Sequence, residues 1–533
     1  MTSNRRTFLK QLGYGSLGLG LVPLLSGCHS ARLKVGHRRL SRNSPEAEGI
    51  SSASILAFLD ALQAGNHDMH SFMLVRHGSV VAEGWWSPYA PELNHTMYSI
   101  SKSFTSTAVG LAVHEGKLSV DDLVLPYFPR ERPRVISDYL ARLRVKHLLT
   151  MSTGHQKEPT FEMTEAENWA KVFLSSPITH EPGSVFLYNS GATYMLSAIL
   201  QQVTGNRLID YLEPRLFQPL AIEGATWETD PRGINTGGWG LNLRTEGLAK
   251  FGQLYLKQGV WHGQQIVPAN WVADATSLKI QQPRPANPVR PNETNDWLQG
   301  YGYQFWRCTH NAFRGDGAFG QYVVVMPEQD AVIAITSEVR TMQDPLDLIW
   351  EHLLPAMKPG PLPPDREGHT RLEDRLASLA LLPPKASPGS PMARRISQKN
   401  FELNVNDLGL DQVMFEYRRN DFTVTFANGQ IKYPIEGGIE KWAKGETSLP
   451  GTPPRLSIIG PGKPGVKSKV AASGTWKDEN TFEIALRYYE TPHRDTVTCR
   501  FNGREVEISF LSSIAAMAPM PRDKRGVLRG RYM

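Results

Sequence analysis

Between Ile50 and Leu62 apolar residues recur at helical spacing behind the loop Asn43 Ser44 Pro45 Glu46, a pattern that predicts an amphipathic helix. Two β-rich runs follow, Phe72 to Arg76 and Val80 to Trp86, joined by His77 Gly78 Ser79, which predicts a hairpin. Thr105 to Glu115 is small or apolar nearly all round and stops at Gly116, the pattern of a buried helix. Two more helices are expected: Ala192 to Val203, stopped by Gly205, and Glu246 to Gln258, striped by Leu248, Phe251, Leu254 and Tyr255. The apolar runs Tyr322 to Met326 and Ala331 to Thr336, around Pro327 Glu328 Gln329 Asp330, predict a second hairpin. Strands near both ends with helices between them predict a mixed α/β (α+β) layer domain over 44–357, its antiparallel sheet flanked by helices.

The pattern changes after residue 357. Lys358 Pro359 Gly360 Pro361 Leu362 Pro363 Pro364 opens a Pro-rich linker, 358–394, that contains a short helix from Leu372 to Leu381. Beyond it the strand-like runs are Phe401 to Leu403, Gln412 to Arg418, Phe422 to Phe426, Thr481 to Tyr488, Thr496 to Phe501 and Glu505 to Phe510. They are separated by turns such as Asn428 Gly429 and Asn502 Gly503, so residues 395–533 are expected to form an all-β accessory domain, a small barrel or sandwich. A chain of 533 residues is too long for one core, in agreement with two globular domains. With 40% hydrophobic and 21% charged residues, long disorder and a multi-span membrane protein are both excluded.

The N-terminus carries an address. Asn4 Arg5 Arg6 Thr7 Phe8 Leu9 Lys10 precedes a Gly-diluted apolar run from Leu12 to Leu25, too short to span a bilayer as a stable helix. It resembles a twin-arginine export signal, and Leu25 Ser26 Gly27 Cys28 resembles a lipobox whose Cys28 thiol takes a diacylglycerol. Residues 1–28 are therefore read as a twin-arginine lipoprotein signal, and 29–43, with Arg32, Lys34, Arg38, Arg39 and Arg42, as a basic tether. The expected location is periplasmic, with a lipid anchor in the membrane and the chain a monomer. Gly13 Tyr14 Gly15 Ser16 Leu17 Gly18 spells G-x-G-x-x-G, but no strand precedes it, so it is no dinucleotide site. Removing Arg5, Arg6 and Lys10 lowers the formal charge from +6 to about +3, too small and dispersed for nucleic acid. The 15 His form no H-E-x-x-H, and neither C-x-x-C nor a Walker-type loop occurs, so no metal or organic cofactor is implied. Cys308 and Cys499 permit one disulfide and do not require it.

The chemistry is carried by Ser99 Ile100 Ser101 Lys102. A serine hydroxyl needs a base within hydrogen-bond reach, and a lysine three residues on, along a helix beginning at the serine, lies on the same face. Burial favours the neutral amine that a base requires. With Met97 Tyr98 before it and Ser103 Phe104 Thr105 Ser106 after it, this stretch resembles the β-lactamase and penicillin-binding-protein superfamily of serine hydrolases. The likeness is strongest to class C β-lactamases, related family VIII esterases, D,D-peptidases and 6-aminohexanoate-dimer hydrolases, over roughly residues 44 to 355.

The resemblance implies a second element in Tyr188 Asn189 Ser190, with Tyr188 relaying protons and Ser190, or Asn189 in another register, as a hydrogen-bonding partner. It implies a third in Gly315 Asp316 Gly317 Ala318, where the amides of Ser99 and Ala318, beside Gly317, form the oxyanion hole. Gly315 stands where β-lactam-processing relatives carry a basic residue, which points away from β-lactams. Glycines at 315 and 317 are expected to let substrate approach the strand, and Arg314 or Asp316 is a candidate for the substrate's polar end. The aromatic pairs Trp85 Trp86 and Phe305 Trp306 are read as core, and His147 and His155 as structural. The function implied is hydrolysis of an ester or amide in a small molecule or peptide through an acyl-enzyme on Ser99. The alternatives are a D-Ala-D-Ala-type peptidase and a catalytically weak protein that binds peptidoglycan or β-lactams. A Ser-His-Asp hydrolase of the α/β type is set aside because no G-x-S-x-G occurs.

Overall fold

The computed structural model describes residues 39–385, 387, 389–456, 459 and 465–533, so Cys28, the twin arginines and most of the 29–43 stretch lie outside the described residues. A seven-stranded sheet is built around the strands Met69–Arg76, Ala331–Ser337 and Gln321–Met326, with the hairpin strand Ser79–Trp85 on one side and Phe313–Gly317 on the other. Residues from the two ends of the domain meet at its centre, where Val332 pairs antiparallel with Val75 and Ala334 with Met73.

Both faces are covered. Met73, Val75, Val323, Val325 and Val332 point into one core with the helices Ser101–His114, Ser190–Thr204 and Thr245–Leu256. Phe72, Leu74, Val324, Met326 and Ile333 point the other way, onto Ile55, Phe58 and Leu59 of the helix Ser52–Ala64. A strand with apolar residues in both registers must be buried twice, which is why these segments read as unbroken apolar runs.

Two expectations need correction. The linker is stitched to the domain: Lys358 N donates to Gly49 O (2.8 Å) and Leu362 N to Glu46 O (2.8 Å). Its helix runs Arg366–Ala377 because the Asp365 carboxylate caps Gly368 N at 2.8 Å, and Leu372 and Leu379 join the core around Phe58. The end of the basic tether is also folded: Ser41–Arg42 pairs with Ser79 and Val80, and Arg42 meets Glu83 at 2.9 Å and Glu246 at 3.1 Å.

The C-terminal part is a ten-stranded sheet closed into a barrel by a parallel pairing of Gly438 with Ser473 and Ile439 with Gly474. Its core is separate and aromatic, with Phe401, Phe415, Phe422, Trp476, Phe482 and Phe501. The strands Ile431–Ile439, Ala443–Thr447, Ser468–Trp476 and Leu528–Arg531 escaped prediction because Pro434, paired Gly437 Gly438, and Ala471 to Gly474 dilute their β pattern. At Gly437 a side chain would meet the Phe422 ring at 2.0 Å, so glycine there makes room for an aromatic across the strand. Cys308 and Cys499 are free thiols buried in different cores. Among the described residues no helix is long and apolar enough to cross a membrane.

Phe104, fully buried on the helix behind Ser99, stacks on Phe251 at 3.8 Å. Phe104→Ala is expected to lower stability by about 3–5 kcal/mol in urea unfolding, and a loss under 1 kcal/mol would show that the layer does not depend on this stack.

Candidate active site

Ser99 lies in the short 3-10 helix Tyr98–Ile100, one turn before the α-helix Ser101–His114, so the expected helix start at the serine is replaced by a tight turn. Tyr98 has φ 47°, a left-handed conformation that a tyrosine adopts only when its surroundings hold it. Ser101 Oγ donates to Tyr98 O (2.6 Å) and accepts from Leu241 N (3.1 Å), so this hydroxyl locks the turn to the segment that follows Thr236.

Lys102 is the centre of the arrangement. Its side chain is buried, and Nζ lies 2.9 Å from Ser99 Oγ, 3.1 Å from Ser190 Oγ and 2.7 Å from Gly238 O, to which it donates. The amine also sits 4.8 Å from the centre of the Tyr188 ring. Burial pushes the ammonium down to about 7, against the opposing pull of the more distant Glu158 and Asp316 carboxylates. Burial against Trp306 and Tyr301 raises the Tyr188 phenol above its ordinary value, outweighing the opposing effect of the nearby Ser99 side chain, so it carries its proton at neutral pH.

The structure brings together Ser99, Lys102, Tyr188 and Ser190. It also separates the two registers left open: Asn189 is the buried N-cap of the helix Ser190–Thr204, accepting from Ala192 N at 3.0 Å, whereas Ser190 presents its hydroxyl to Lys102.

The glycine strand is closely approached by the protein's own backbone. A side-chain carbon at Gly317 would lie 2.3 Å from Met97 O, and one at Gly315 3.1 Å from Ser103 Oγ and 3.0 Å from Val323. These glycines admit the protein's own nucleophile turn. Gly317 thus lies against the backbone two residues before Ser99. Arg314 points to the opposite face, fully buried, with Nε 2.9 Å from Asp316 and Nη1 2.8 Å from Asp296 O. It is 4.4 Å from the Trp297 ring, and Asp316 neutralises it, so neither residue is a free loop charge.

Several contributors were missed. Gly238 lies in Thr236 Gly237 Gly238 Trp239 Gly240, and a side chain there would meet Ser190 O at 2.8 Å. The density of glycine was a readable sign of close backbone approach. Glu158 accepts from Ser190 N at 2.9 Å, and Trp306, read as core, stacks on Tyr188 at 5.5 Å. No sequence spacing marks either. His147 and His155 are structural: Arg144 N donates to His147 Nδ1 at 3.1 Å, and His155 bonds Thr153 and Phe173 O. Among the described residues no three His, Cys, Asp or Glu side chains converge as metal ligands would.

This site, a buried lysine against a half-buried serine faced by a tyrosine, lies within residues 60–356, which a family model for "Beta-lactamase" matches, more than half of the chain. The chain belongs to the β-lactamase family. Within that family it is 25% identical over 305 residues to a 6-aminohexanoate-dimer hydrolase of Paenarthrobacter ureafaciens, covering 53% of this chain and 75% of that one. It is 29% identical over 171 residues to a D-aminopeptidase of Brucella anthropi, covering 30% of this chain and 32% of that protein. Among solved structures, an octameric penicillin-binding protein homologue from Pyrococcus abyssi is similar over 90% of this chain and 99% of its own, at 14% identity and TM-score 0.46. The β-lactamase fold with its hydrolase relatives and the C-terminal barrel accord with the expected fold class.

Gly317→Ala is expected to displace the Met97–Ser99 turn and to slow fluorophosphonate labelling of Ser99 at least about tenfold, since misplacement of reacting groups by 1 Å carries penalties of that order. Labelling at the wild-type rate, followed by intact-protein mass spectrometry, would refute the close approach.

Proposed function

We propose that this β-lactamase-family hydrolase is an exported serine hydrolase that cleaves ester or amide bonds through an acyl-enzyme on Ser99. The observation that carries this reading is the 2.9 Å approach of Lys102 Nζ, an amine lowered to about 7 by burial, to Ser99 Oγ. In the neutral amine form, Lys102 accepts the Ser99 proton as Oγ bonds to the substrate carbonyl carbon. The amides of Ser99 and Ala318 stabilise the oxyanion, and the Tyr188 phenol delivers a proton to the leaving alcohol or amine. Water then attacks the acyl group, its proton passing back through the same groups, and Ser99 is regenerated.

Gly315 supplies no cation at the strand and Arg314 is held by Asp316, so neither position offers a free positive charge to a substrate carboxylate. This favours neutral esters or linear amides. A D-Ala-D-Ala-type peptidase would use the same Ser99, Lys102 and Tyr188 on a substrate that ends in a carboxylate. The resemblance of residues 1–28 to a twin-arginine lipoprotein signal ending at Cys28 supports a lipid-anchored monomer outside the cytoplasm.

Two tests follow. Below about pH 7 the Lys102 ammonium cannot take the serine proton, so kcat/KM on an activated ester is expected to rise with pH, inflect near 7 and level off above it. Ser99→Ala is expected to abolish both turnover and the fluorophosphonate adduct. An adduct that survives this substitution, or a profile flat from pH 5 to 9, would overturn the reading, and rapid labelling of Ser99 by penicillin would overturn the argument from Gly315. For location, Cys28→Ala is expected to move the protein from the membrane to the soluble extracytoplasmic fraction. An unmodified N-terminus on the wild-type protein would refute the lipid anchor.

A further inference from the structure

The barrel is bound to the catalytic turn itself. Its loop between the strands Thr481–Arg487 and Arg494–Asn502 lies along the segment leading into Ser99: Thr96 N donates to Glu490 O at 3.0 Å, and Tyr89 Oη donates to Thr491 O at 3.0 Å. At the end of that loop His493, 1% exposed, hydrogen-bonds Tyr98 Oη through Nε2. On its other side Nδ1 lies 2.7 Å from Glu338 Oε1, whose carboxylate is also engaged by Ser513 and, at 2.6 Å, by Arg494. Burial keeps the Tyr98 phenol protonated. These partners are all satisfied by an imidazole that donates Nδ1–H to Glu338 and accepts the Tyr98 hydroxyl at Nε2.

Tyr98 immediately precedes Ser99, and Phe319 immediately follows Ala318. Both adopt left-handed backbone conformations, φ 47° and 68°, which non-glycine residues keep only under external constraint. The His493 ring touches both, edge-on at 5.8 Å to Tyr98 and 4.9 Å to Phe319. One barrel side chain thus braces the two strained residues that flank the two amides assigned to the oxyanion.

We infer that His493 is a positioning residue of the active site, fixing Tyr98 and Phe319 and through them the amides of Ser99 and Ala318. The inference rests on the serine-hydrolase reading and makes the barrel part of the catalytic apparatus. The balance of interactions favours positioning over proton transfer, because Tyr98 Oη and the Glu338 carboxylate both face the histidine and none of the three is placed against Ser99 Oγ by a hydrogen bond.

The full-length protein is used, with active sites counted by stoichiometric fluorophosphonate labelling. His493→Phe and Tyr98→Phe are expected to lower kcat per labelled site on an activated ester at least about tenfold, with KM and the inflection near pH 7 unchanged. His493→Gln, which can both donate to Glu338 and accept from Tyr98, is expected to recover most of the loss. A merely structural role would lower the melting temperature or the labelled fraction while leaving kcat per site intact, and that result overturns the inference. If His493→Phe does not fold, Tyr98→Phe, which keeps the ring packing, decides by the same criterion. Failure of the wild-type protein to label at Ser99 would instead refute the hydrolase reading.

Discussion

An ammonium enclosed by protein and given no carboxylate within ion-pair reach is disfavoured against its neutral form, and Lys102 is held in that condition by everything around it. Its three close partners are two hydroxyls and a carbonyl, which suit an amine in either protonation state. The nearest carboxylates are committed elsewhere. Glu158 binds the first turn of the helix Ser190–Thr204, and Asp316 is paired with buried Arg314. A lysine that is neutral near pH 7 is thus a property of the whole enclosure, and the reactivity of Ser99 depends on it.

That enclosure is made by close backbone approach. Gly317 admits Met97 O, Gly238 admits Ser190 O, and Gly315 leaves space for Ser103, so separate chain segments pack closely around the serine turn and its lysine. Tyr98 and Phe319, next to this enclosure, hold left-handed conformations. Strain of this kind persists only where surrounding contacts fix it, and part of that constraint comes from the barrel through His493, which Glu338 of the layer domain engages together with Arg494. Asp68, half-buried between the two parts, is held well below the ordinary carboxylate range. Burial alone would raise it, but Arg487, His70 and Arg494 outweigh that effect.

Much of the layer domain was legible because its elements announce themselves locally. Gly116 and Gly205 mark helix ends, and apolar runs such as Tyr322 to Met326 reveal strands buried on both faces. Boundaries moved where a cap intervened, as Asp365 drew its helix forward to Arg366. The barrel was legible as all-β but under-counted, since closure depends on glycine- and alanine-rich strands whose pairing partners supply the side chains. Trp306 looked like core and is core, yet it also stacks on Tyr188, a distinction of direction that periodicity does not hold.

The amino-acid sequence determined the catalytic candidates Ser99 and Lys102, because three residues of helical spacing set their proximity without help from the rest of the chain. It also determined the two-part architecture, through the shift from helical and doubly buried patterns to short strands and turns. Only the tertiary structure decided that Ser190 and not Asn189 faces the lysine, that the glycine strand accommodates the nucleophile turn, and that a histidine 394 residues beyond Ser99 braces the turn from the barrel. The physical reason is one of range. Turns, caps and i to i+3 contacts follow from neighbours in sequence, whereas a pKa, a close backbone approach and a strained φ are set by whatever the fold packs against them.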